Sequence, residues 1–547
     1  MNSLVGIGVS PGVAVGKACR IAQITSVGPI PATPRKVFDS LNLVVADLER
    51  AAKTVELDIV RDVLGVQAMM ASDPALIEAI GARLSQDIEY KDVRPDIIDS
   101  FRGFKTALSA LGGYFAERIV DLDDILSQLL NKLAGTEHQL INLAEPSIVI
   151  ADELTPSDTA HINLNYALAL VVAKGGPTSH AAIVARGLGI PAIVGCKRVL
   201  EIEDGSVLLV DGRQGKIYVD PKATDVESAQ MREEALRARA AAVVGPGRLK
   251  DGSHITLLAN VSDVNGAIEA AAAGADGIGL LRTELLFIDS TSEPTVEDQV
   301  ATYKKIFDLM QGRRVIVRTL DAGSDKQIPY LNSSREQNPA LGIRGWRLTR
   351  THDAVLERQL EAISKAAEGI SLDLWVMAPM VSTPAEANDF ATRARALGIK
   401  KVGVMIETPA AAIHAEKVLL EVDFGSIGTN DLAQYVMASD RMDSRLSDLA
   451  TTWNPAVLRT IQIACESANK LNKTNGVCGE AASDPYLAAV LLGLGVTSLS
   501  MVPSAIAEVR EFLSTLDLAT CVEVAALALN ADSAQEAESL VKENLQR

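Results

Sequence analysis

The sequence predicts a multidomain α/β protein in which an α/β domain with an inserted helical bundle is followed by a (β/α)8 barrel. Three observations support this fold class. The chain has 547 residues, enough for about three or four folding units of ordinary size. Helical periodicity runs through residues 35–135, between short β-rich runs. From residue 255 onward, eight β-rich runs alternate with helical stretches, and the length of this region is typical of such a barrel.

The first α/β domain is predicted from apolar runs on either side of the helical insert. Residues 4–9 and 13–18 are interrupted by the turn sequence Ser10-Pro11-Gly12. Further strands are predicted at residues 147–151, 167–173, 192–195, 206–210 and 216–219, with Asp211-Gly212 as the turn before the last of them. We therefore assign residues 1–24 and 140–221 to this domain.

Residues 25–139 are assigned to the helical insert. Its last helix is predicted from apolar residues that recur on one face, such as Leu122, Ile125 and Leu129. Met69 and Met70 are expected in the core of the insert, although an exposed pair would make an adaptable contact patch. Residues 222–250 are expected to form a helical linker, and Gly245-Pro246-Gly247 near its end is typical of a hinge.

A histidine stands at the predicted start of a helix in the centre of the first domain. The run Gly175-Gly176-Pro-Thr-Ser-His180 follows a predicted strand and precedes the helix-forming sequence Ala-Ala-Ile-Val-Ala. Backbone N–H groups at a helix start favour an anion, and imidazole is a usable nucleophile near neutral pH. From these residues alone, His180 is either a carrier of a phosphoryl group or a histidine without chemistry beside the helix cap.

Residues 251–547 are assigned to the barrel. Its eight strands are predicted at residues 255–261, 277–282, 314–320, 372–380, 402–407, 425–428, 475–478 and 498–502. The chemistry of such barrels lies at the carboxyl ends of the strands. Polar side chains stand at these ends in this sequence: Asn260, Arg282, Arg318, Glu407, Asn430, Asp431 and Cys478.

These strand ends suggest a metal site beside an anion site. Glu407 and Asp431 are of the kind that share one Mg²⁺ with substrate oxygens. Arg282, Arg318 and Arg344 would together bind a small polyanion. Each arginine taken alone is as well explained by a salt bridge at the rim of the barrel.

Composition disfavours several kinds of partner and location. The net charge of −18 disfavours nucleic acid and anionic membrane as partners. The five cysteines form no CxxC pair, which is typical of reduced thiols in the cytoplasm. We expect no signal peptide, because residues 1–16 lack a basic start and a long apolar run. No apolar run reaches the length needed to span a membrane.

Several stretches resemble the phosphoenolpyruvate-utilising phosphotransferases over nearly the whole chain. The run from Gly175 to Gly195 resembles the phosphohistidine signature of that family. The barrel carries similar motifs around Arg282, Arg318 and Arg344, and the stretches Ile-Glu407-Thr-Pro-Ala-Ala, Gly-Thr-Asn430-Asp431-Leu and Gly-Val-Cys478-Gly-Glu are strong matches.

The resemblance implies a role for each matching residue. His180 receives the phosphoryl group, and Cys478 protonates the enolate to give pyruvate. Glu407 and Asp431 bind Mg²⁺. The residues implied to bind phosphoenolpyruvate are Arg282, Arg318, Asn430, Asp431 and Arg441, with Arg344 as a further candidate.

The resemblance also implies a partner protein and an assembly. The helical insert is similar to the subdomain that docks the phosphocarrier protein HPr, and Glu117-Arg118 and Asp121 match its motif. The barrel of the family forms a homodimer. Three stretches depart from the family pattern, namely 64–71 in the insert, Ser324, and Met442-Asp443.

Three alternative functions fit the sequence less well. A synthase or dikinase branch of the family needs an ATP-binding domain, for which we find no glycine-rich loop. A nitrogen-branch relative is expected to carry an added sensory domain before residue 1. A non-catalytic regulatory module is disfavoured because His180, Glu407, Asp431, Arg441 and Cys478 occur together.

Overall fold

The chain forms two compact units, residues 1–235 and 236–547, and each is treated by itself. A computed structural model describes residues 3–21, 28–54, 58–84, 88–111, 119–135, 143, 145–154, 166–176, 180–242, 245–288, 292–323, 328, 330–331, 336, 338–441, 446 and 448–546. The expected capping residues Thr178 and Ser179, the motif residues Glu117 and Arg118, and the departures at Ser324 and Met442-Asp443 lie outside the described residues.

The first unit is built on an eight-stranded mixed sheet. Its strands are β1 (Ser3–Val5), β2 (Ile7–Ser10), β3 (Val13–Arg20), β4 (Ser147–Ala151), β5 (Ala167–Val172), β6 (Ala192–Val194), β7 (Val207–Asp211) and β8 (Lys216–Val219). Their order across the sheet is β1-β8-β7-β3-β4-β5-β6-β2, and β3, β4, β5 and β6 run parallel. The predicted first strand is divided at Gly6, because β1 pairs with β8 whereas β2 pairs with β6.

Helices fill the chain between β3 and β4. They are α1 (Pro34–Thr54), α2 (Asp58–Ala71), α3 (Pro74–Arg83), α4 (Arg94–Leu111) and α5 (Ile119–Ala134). Their apolar faces share one core with a face of the sheet, in which Leu41, Phe101, Leu122, Ile125 and Leu129 are buried. The helical insert is therefore one packed body with the sheet that flanks it.

The expectation that Met69 lies in this core is wrong. Its side chain is 73% exposed, while Leu64, Ala68 and Ala71 on the same helix are buried. These buried positions are three or four residues apart, so the intervening Met69 points away from the core. Met70 is half-buried and packs against the core.

The central histidine opens a helix, as the sequence indicates. After β5 the chain turns at Gly175, whose φ of +93° favours glycine. Helix α6 (His180–Leu188) follows, and β6 returns the chain to the sheet. A long helix, α7 (Ala223–Ala242), occupies most of the predicted linker and contains the boundary between the two units.

The second unit is a closed barrel of eight parallel strands, which confirms the predicted fold class. Its strands are β10 (His254–Val261), β11 (Gly277–Leu281), β12 (Arg314–Arg318), β13 (Asp373–Ala378), β14 (Lys401–Ile406), β15 (Phe424–Ile427), β16 (Thr474–Val477) and β17 (Ser498–Met501). The last strand pairs with β10, and β10 pairs with β11, so the sheet closes. Part of the predicted hinge is strand, since β9 (Gly247–Arg248) pairs antiparallel with the start of β10.

Helices surround the barrel. They are α8 (Val264–Ala272), α9 (Glu284–Ile288), α10 (Val296–Leu309), α11 (Thr349–Ala366), α12 (Pro384–Ala396), α13 (Pro409–Ile413), α14 (Ala415–Glu421), α15 (Thr429–Met437), α16 (Pro455–Lys470), α17 (Pro485–Gly493), α18 (Ile506–Ser514), α19 (Leu518–Leu529) and α20 (Ala534–Leu545). Within the described part of the chain, no single helix is long and apolar enough to cross a membrane. One sharply bent pair, 503–514 with 518–529, has the length and composition for it.

Candidate active site

The barrel brings the predicted polar residues to one end. Arg318 is the last residue of β12. Arg282, Glu407 and Cys478 each follow directly after the last residue of a strand. Asn430 and Asp431 lie in the first turn of α15, directly after β15. Because the strands are parallel, their carboxyl ends meet at the same rim, which is where enzymes of this fold hold their chemistry.

Arg344 is the most deeply buried of the predicted arginines. Its side chain is 1% exposed, and it forms a forked pair with Asp321, with Nη2–Oδ2 at 2.9 Å and Nε–Oδ1 at 3.3 Å. Its Nη1 donates to Oδ1 of Asp431 at 3.0 Å. Gly323 allows this placement, since a Cβ there would come within 2.4 Å of the Cβ of Arg344. Arg344 therefore joins two carboxylates from different strand ends.

Arg318 belongs to the same buried ion cluster, which it joins through Asp321. Its Nη2 donates to Glu284 at 2.7 Å, and its Nη1 lies 3.3 Å from Asp321. Burial opposes the charge, but Glu284 and Asp321 outweigh it and raise the pKa of Arg318 above its ordinary value. Glu284 and Asp321 were assigned no role from the sequence. The signal for both was their place within three residues of a predicted arginine.

A buried glutamine of the outer helix layer holds the loop after Arg318 through hydrogen bonds. Gln359 of α11 accepts from the N–H of Leu320 at 2.8 Å and donates to Thr283 at 3.0 Å. The hydroxyl of Thr283 in turn donates to the carbonyl of Arg318 at 3.1 Å. These hydrogen bonds fix the backbone on both sides of the guanidinium, so its position is set by the outer helix layer as well as by the barrel.

Glu407 is completely buried and only half satisfied. Its Oε1 accepts the N–H of Met380 at 2.6 Å, while Oε2 has no hydrogen-bond partner. Burial, followed by repulsion from Asp431, raises the pKa of Glu407 to about 7. Met380 itself adopts a φ of +61°, a costly conformation for a side chain of this size, and its N–H thereby points at Glu407.

Asp431 and its neighbours complete the rim. Its second oxygen, Oδ2, accepts from Arg441 at 3.5 Å. The Oδ1 of Asn430 accepts the N–H of Glu480 at 3.2 Å, which ties α15 to the segment after Cys478. Gly428 approaches Glu407 so closely that a Cβ would lie 2.5 Å from Oε2. Space beside this oxygen is therefore kept free of protein side chains.

These residues fit a hard divalent cation. Glu407 offers an unpartnered buried oxygen, and Asp431 is the nearby charge that most disfavours its ionisation. A cation between the two carboxylates would relieve both conditions. No cluster of three ligating side chains occurs among the described residues, so other ligands would have to come from substrate or water.

Cys478 lies just beneath the charged rim. Its side chain is 2% exposed and packs against apolar residues inside the barrel, including Met405 and Phe424. Burial raises the pKa of the thiol to about 11, although the neighbouring Ser426 hydroxyl counteracts part of this rise. The thiol itself donates to the carbonyl of Ile427 at 3.6 Å. The thiol therefore remains protonated at neutral pH and is equipped to give a proton to a neighbouring atom.

Arg282 is the exposed member of the cluster. Its side chain reaches the mouth of the barrel, where partial desolvation and then the charge of Arg318 lower the pKa of its guanidinium. Two guanidinium groups that repel each other at one site favour an anion between them. Leu281 and Val317 are paired on the adjacent strands β11 and β12, so Arg282 and Arg318 follow at neighbouring positions of the rim. This placement supports the anion site predicted from the two arginines.

His180 belongs to the other unit. Its backbone begins α6 after the turn at Gly175, and its side chain lies outside the described residues. The residues of the barrel rim form one site in the second unit, whereas His180 begins a helix in the first unit.

Three stretches of the chain match the domain families of one group of enzymes. Residues 237–518 match the family described as PEP-utilising enzyme, PEP-binding domain. Residues 143–215 match the mobile domain of the same enzymes, and residues 5–118 match their N-terminal domain.

The full length of the chain resembles named relatives. It is 41% identical to the phosphoenolpyruvate-protein phosphotransferase of Streptomyces coelicolor, with 98% of each chain covered. The protein of the same name from Enterococcus faecalis is 36% identical, with 99% of each chain covered. A multiphosphoryl transfer protein of Xanthomonas campestris is 37% identical over 98% of this chain and 66% of its own length.

Replacing Arg344 tests the buried ion cluster. We expect Arg344→Met to lower the free energy of unfolding of the barrel by about 3 kcal/mol, because Asp321 and Asp431 each lose a buried guanidinium. All three tryptophans lie in the second unit, so denaturant unfolding followed by tryptophan fluorescence reports on the barrel.

The matched control is Arg350→Met. Arg350 is 68% exposed and lies 3.7 Å from Glu386, so its loss is expected to cost less than about 1 kcal/mol. Equal effects of the two substitutions would contradict a stabilising role for the buried cluster.

Glu407 predicts a pH dependence of stability in metal-free protein. Between pH 4.5 and about 7 the folded state retains a proton that the unfolded state has lost. The free energy of unfolding therefore falls by about 3 kcal/mol as the pH rises through this range. Glu407→Gln removes this contribution, so the variant should be the more stable protein at pH 8. Denaturant titrations from pH 4 to 8 in the presence of a chelator measure the free energy of unfolding of the wild type and of Glu407→Gln. Parallel pH profiles for the two would refute the raised pKa of Glu407.

Proposed function

The chain belongs to the family of phosphoenolpyruvate-utilising enzymes, and on that premise we propose that it acts as a phosphoenolpyruvate–protein phosphotransferase of the Enzyme I type. It takes the phosphoryl group of phosphoenolpyruvate onto His180, passes the group to the carrier protein HPr and releases pyruvate. The observation that carries this proposal is the similarity, end to end, to relatives with that name, together with a barrel rim suited to bind a polyanion.

Phosphoenolpyruvate is a small trianion, and we assign its binding to the guanidinium groups of the rim. Arg282 and Arg318 are the close pair that would hold the phosphoryl oxygens. Asn430 and Arg441, on either side of Asp431, would hold the rest of the substrate. Arg344 would enter this set by leaving Asp431, to which it donates a hydrogen bond. Phosphoryl transfer depends mainly on such positioning and charge stabilisation.

The cation is proposed to be Mg²⁺, held by Glu407 and Asp431. When bound, it would neutralise charge on the phosphoryl group and on the enolate that leaves. The chain's own contribution is the orientation of the two carboxylates. Met380 fixes Glu407 through its N–H, and Arg441 fixes Asp431.

Cys478 is the proposed acid of the second step. Loss of the phosphoryl group leaves pyruvate as its enolate, and carbon 3 must gain a proton. A protonated thiol held beneath the anion site, within the influence of Arg282 and Arg318, is placed to supply it.

Transfer onward requires His180 to meet both the barrel and a second protein. We propose that residues 25–139 dock HPr and that the linker at residues 222–250 lets the first α/β domain, residues 1–24 and 140–221, move relative to the barrel, residues 251–547. Homodimerisation through the barrel and a cytoplasmic location complete the proposal. The five cysteines, which form no disulfide, support that location.

Labelled phosphoenolpyruvate tests the carrier role of His180. We expect His180→Ala to lower transfer of label to HPr by about a thousandfold or more, because the nucleophile is gone. His254→Ala, at an exposed position at the start of β10, is the matched control and should keep the wild-type rate. Normal transfer by His180→Ala would refute the proposal, and a requirement for ATP would favour a dikinase instead.

Removal of metal tests the proposed Mg²⁺ site. A chelator should abolish label on His180, and added Mg²⁺ should restore it. Binding of Mn²⁺ to the protein alone, followed by the paramagnetic resonance of free Mn²⁺, should weaken at least about tenfold in Glu407→Gln and in Asp431→Asn. Glu416→Gln changes a surface carboxylate and should bind Mn²⁺ as the wild type does. Unchanged binding in both rim variants would exclude this site.

A further inference from the structure

A cavity of about 130 Å³ lies inside the barrel, below the charged rim. Hydroxyl groups of Thr256, Ser426, Thr497, Ser498 and Ser500 line it, beside Trp375. Ser498 is the first residue of β17, Thr497 precedes it, and Thr256 is the third residue of β10, and all three are partly or fully exposed. The cavity therefore opens at the amino-terminal end of the barrel, opposite to the proposed substrate site, and its polar lining suits water.

Ser426 and Cys478 are neighbours on adjacent strands. Ser426 of β15 pairs with Gly476 of β16, and Cys478 follows two residues later. Side chains two residues apart on a strand point to the same face, so both Ser426 and Cys478 point into the barrel. The N–H of Cys478 donates to the carbonyl of Ile427 at 3.0 Å, which fixes the two strand ends together.

The other neighbours of the thiol are largely apolar. Leu258, Leu280, Ile316, Met377, Met405 and Phe424 form the cluster that surrounds it. Ser426 also lines the cavity, and its partner Gly476 stands two residues before Cys478, so Ser426 is nearer than Cys478 to the amino-terminal end of the barrel. Ser498 continues this path, because its Oγ lies 2.3 Å from where a Cβ on Gly476 would be.

We propose that Ser426 is a positioning residue for the proton transfer from Cys478, and that it connects the thiol to water in the cavity. This inference rests on the proposed function, in which Cys478 protonates the enolate. As the S–H bond breaks and a C–H bond forms on carbon 3, the sulfur becomes a thiolate in apolar surroundings. The hydroxyl of Ser426 donates a hydrogen bond to that thiolate and stabilises it.

The thiol is restored by a balanced transfer. The proton on Oγ of Ser426 moves to the thiolate, while Oγ accepts a proton from water in the cavity, and the hydroxide left there is neutralised by solvent. The serine ends the cycle unchanged and no oxidant or reductant is needed. The proton thus enters from the amino-terminal end of the barrel, while substrate and product use the carboxyl end.

A matched pair of variants isolates the hydroxyl. Ser426→Thr and Ser426→Val add the same bulk beside the cavity and differ only by a hydroxyl against a methyl. We expect Ser426→Val to have a kcat for pyruvate formation about tenfold below that of Ser426→Thr, with the same KM for phosphoenolpyruvate and the same affinity for Mn²⁺. The alkaline limb of its kcat profile should move to higher pH, since the thiolate has lost a donor.

The stereochemistry of protonation is the second measurement. Phosphoenolpyruvate deuterated at one position of carbon 3, converted in tritiated water, gives pyruvate whose methyl group is chiral if one face is protonated. The Thr variant should retain the wild-type chirality, and the Val variant should lose part of it as enolate escapes to water. Ser467→Ala removes a buried hydroxyl on α16, which bonds only within its helix, and should behave as the wild type.

The outcomes separate this inference from the proposed function. The role of Ser426 would be overturned if the Thr and Val variants had the same kcat, the same alkaline limb and the same product chirality. This holds even if Cys478→Ala is impaired in all three measurements. Wild-type behaviour of Cys478→Ala would overturn the thiol as the acid, and the role of Ser426 with it.

Discussion

The barrel rim is governed by the rule that buried charges must be paired. Arg344 and Arg318 are almost inaccessible to water, and each contacts Asp321. Their mutual geometry fixes the loop after β12 against α15, where Asp431 is the third partner. Glu407 forms no ion pair with these arginines. Burial and the charge of Asp431 raise its pKa, and one of its oxygens has no hydrogen-bond donor. A polar atom left unsatisfied at the centre of an otherwise satisfied cluster is the structural reason to expect a cation there.

The same cluster bears on how the proposed cation site could be filled. Asp431 is proposed as a metal ligand, yet both of its oxygens contact arginines in the free protein. Binding of a cation and an anion together would exchange partners among these groups, so the total charge of the site would change little. The arginines pair with Asp431, which limits the cost of keeping this carboxylate buried.

Much of this fold follows from local patterns in the sequence. The eight barrel strands lie within about two residues of the predicted runs, because buried parallel strands are continuous apolar stretches with clear ends. Met69 was misplaced, because apolar character alone does not tell which face of a helix meets the core. The rim residues were predicted from their strand ends, whereas the pairing of Arg344 with Asp321 and Asp431 depends on which ends meet in space. No local signal encodes that pairing.

The barrel also separates two kinds of chemistry by depth. The outer layer of the rim is charged and suits a polyanion with a cation, whereas Cys478 beneath it packs in an apolar cluster. Ser426 and the other hydroxyl residues of the cavity lie further toward the amino-terminal end. Burial among these apolar residues keeps the thiol protonated, although the charges of Arg318 and Arg282 act in the opposite direction on its pKa. Small residues below that layer, such as Gly476, leave room for hydroxyl groups and water rather than a close-packed floor. An empty cavity of this size would lower the stability of the barrel. Its polar lining instead suits water, which in our proposal supplies the proton that restores the thiol of Cys478.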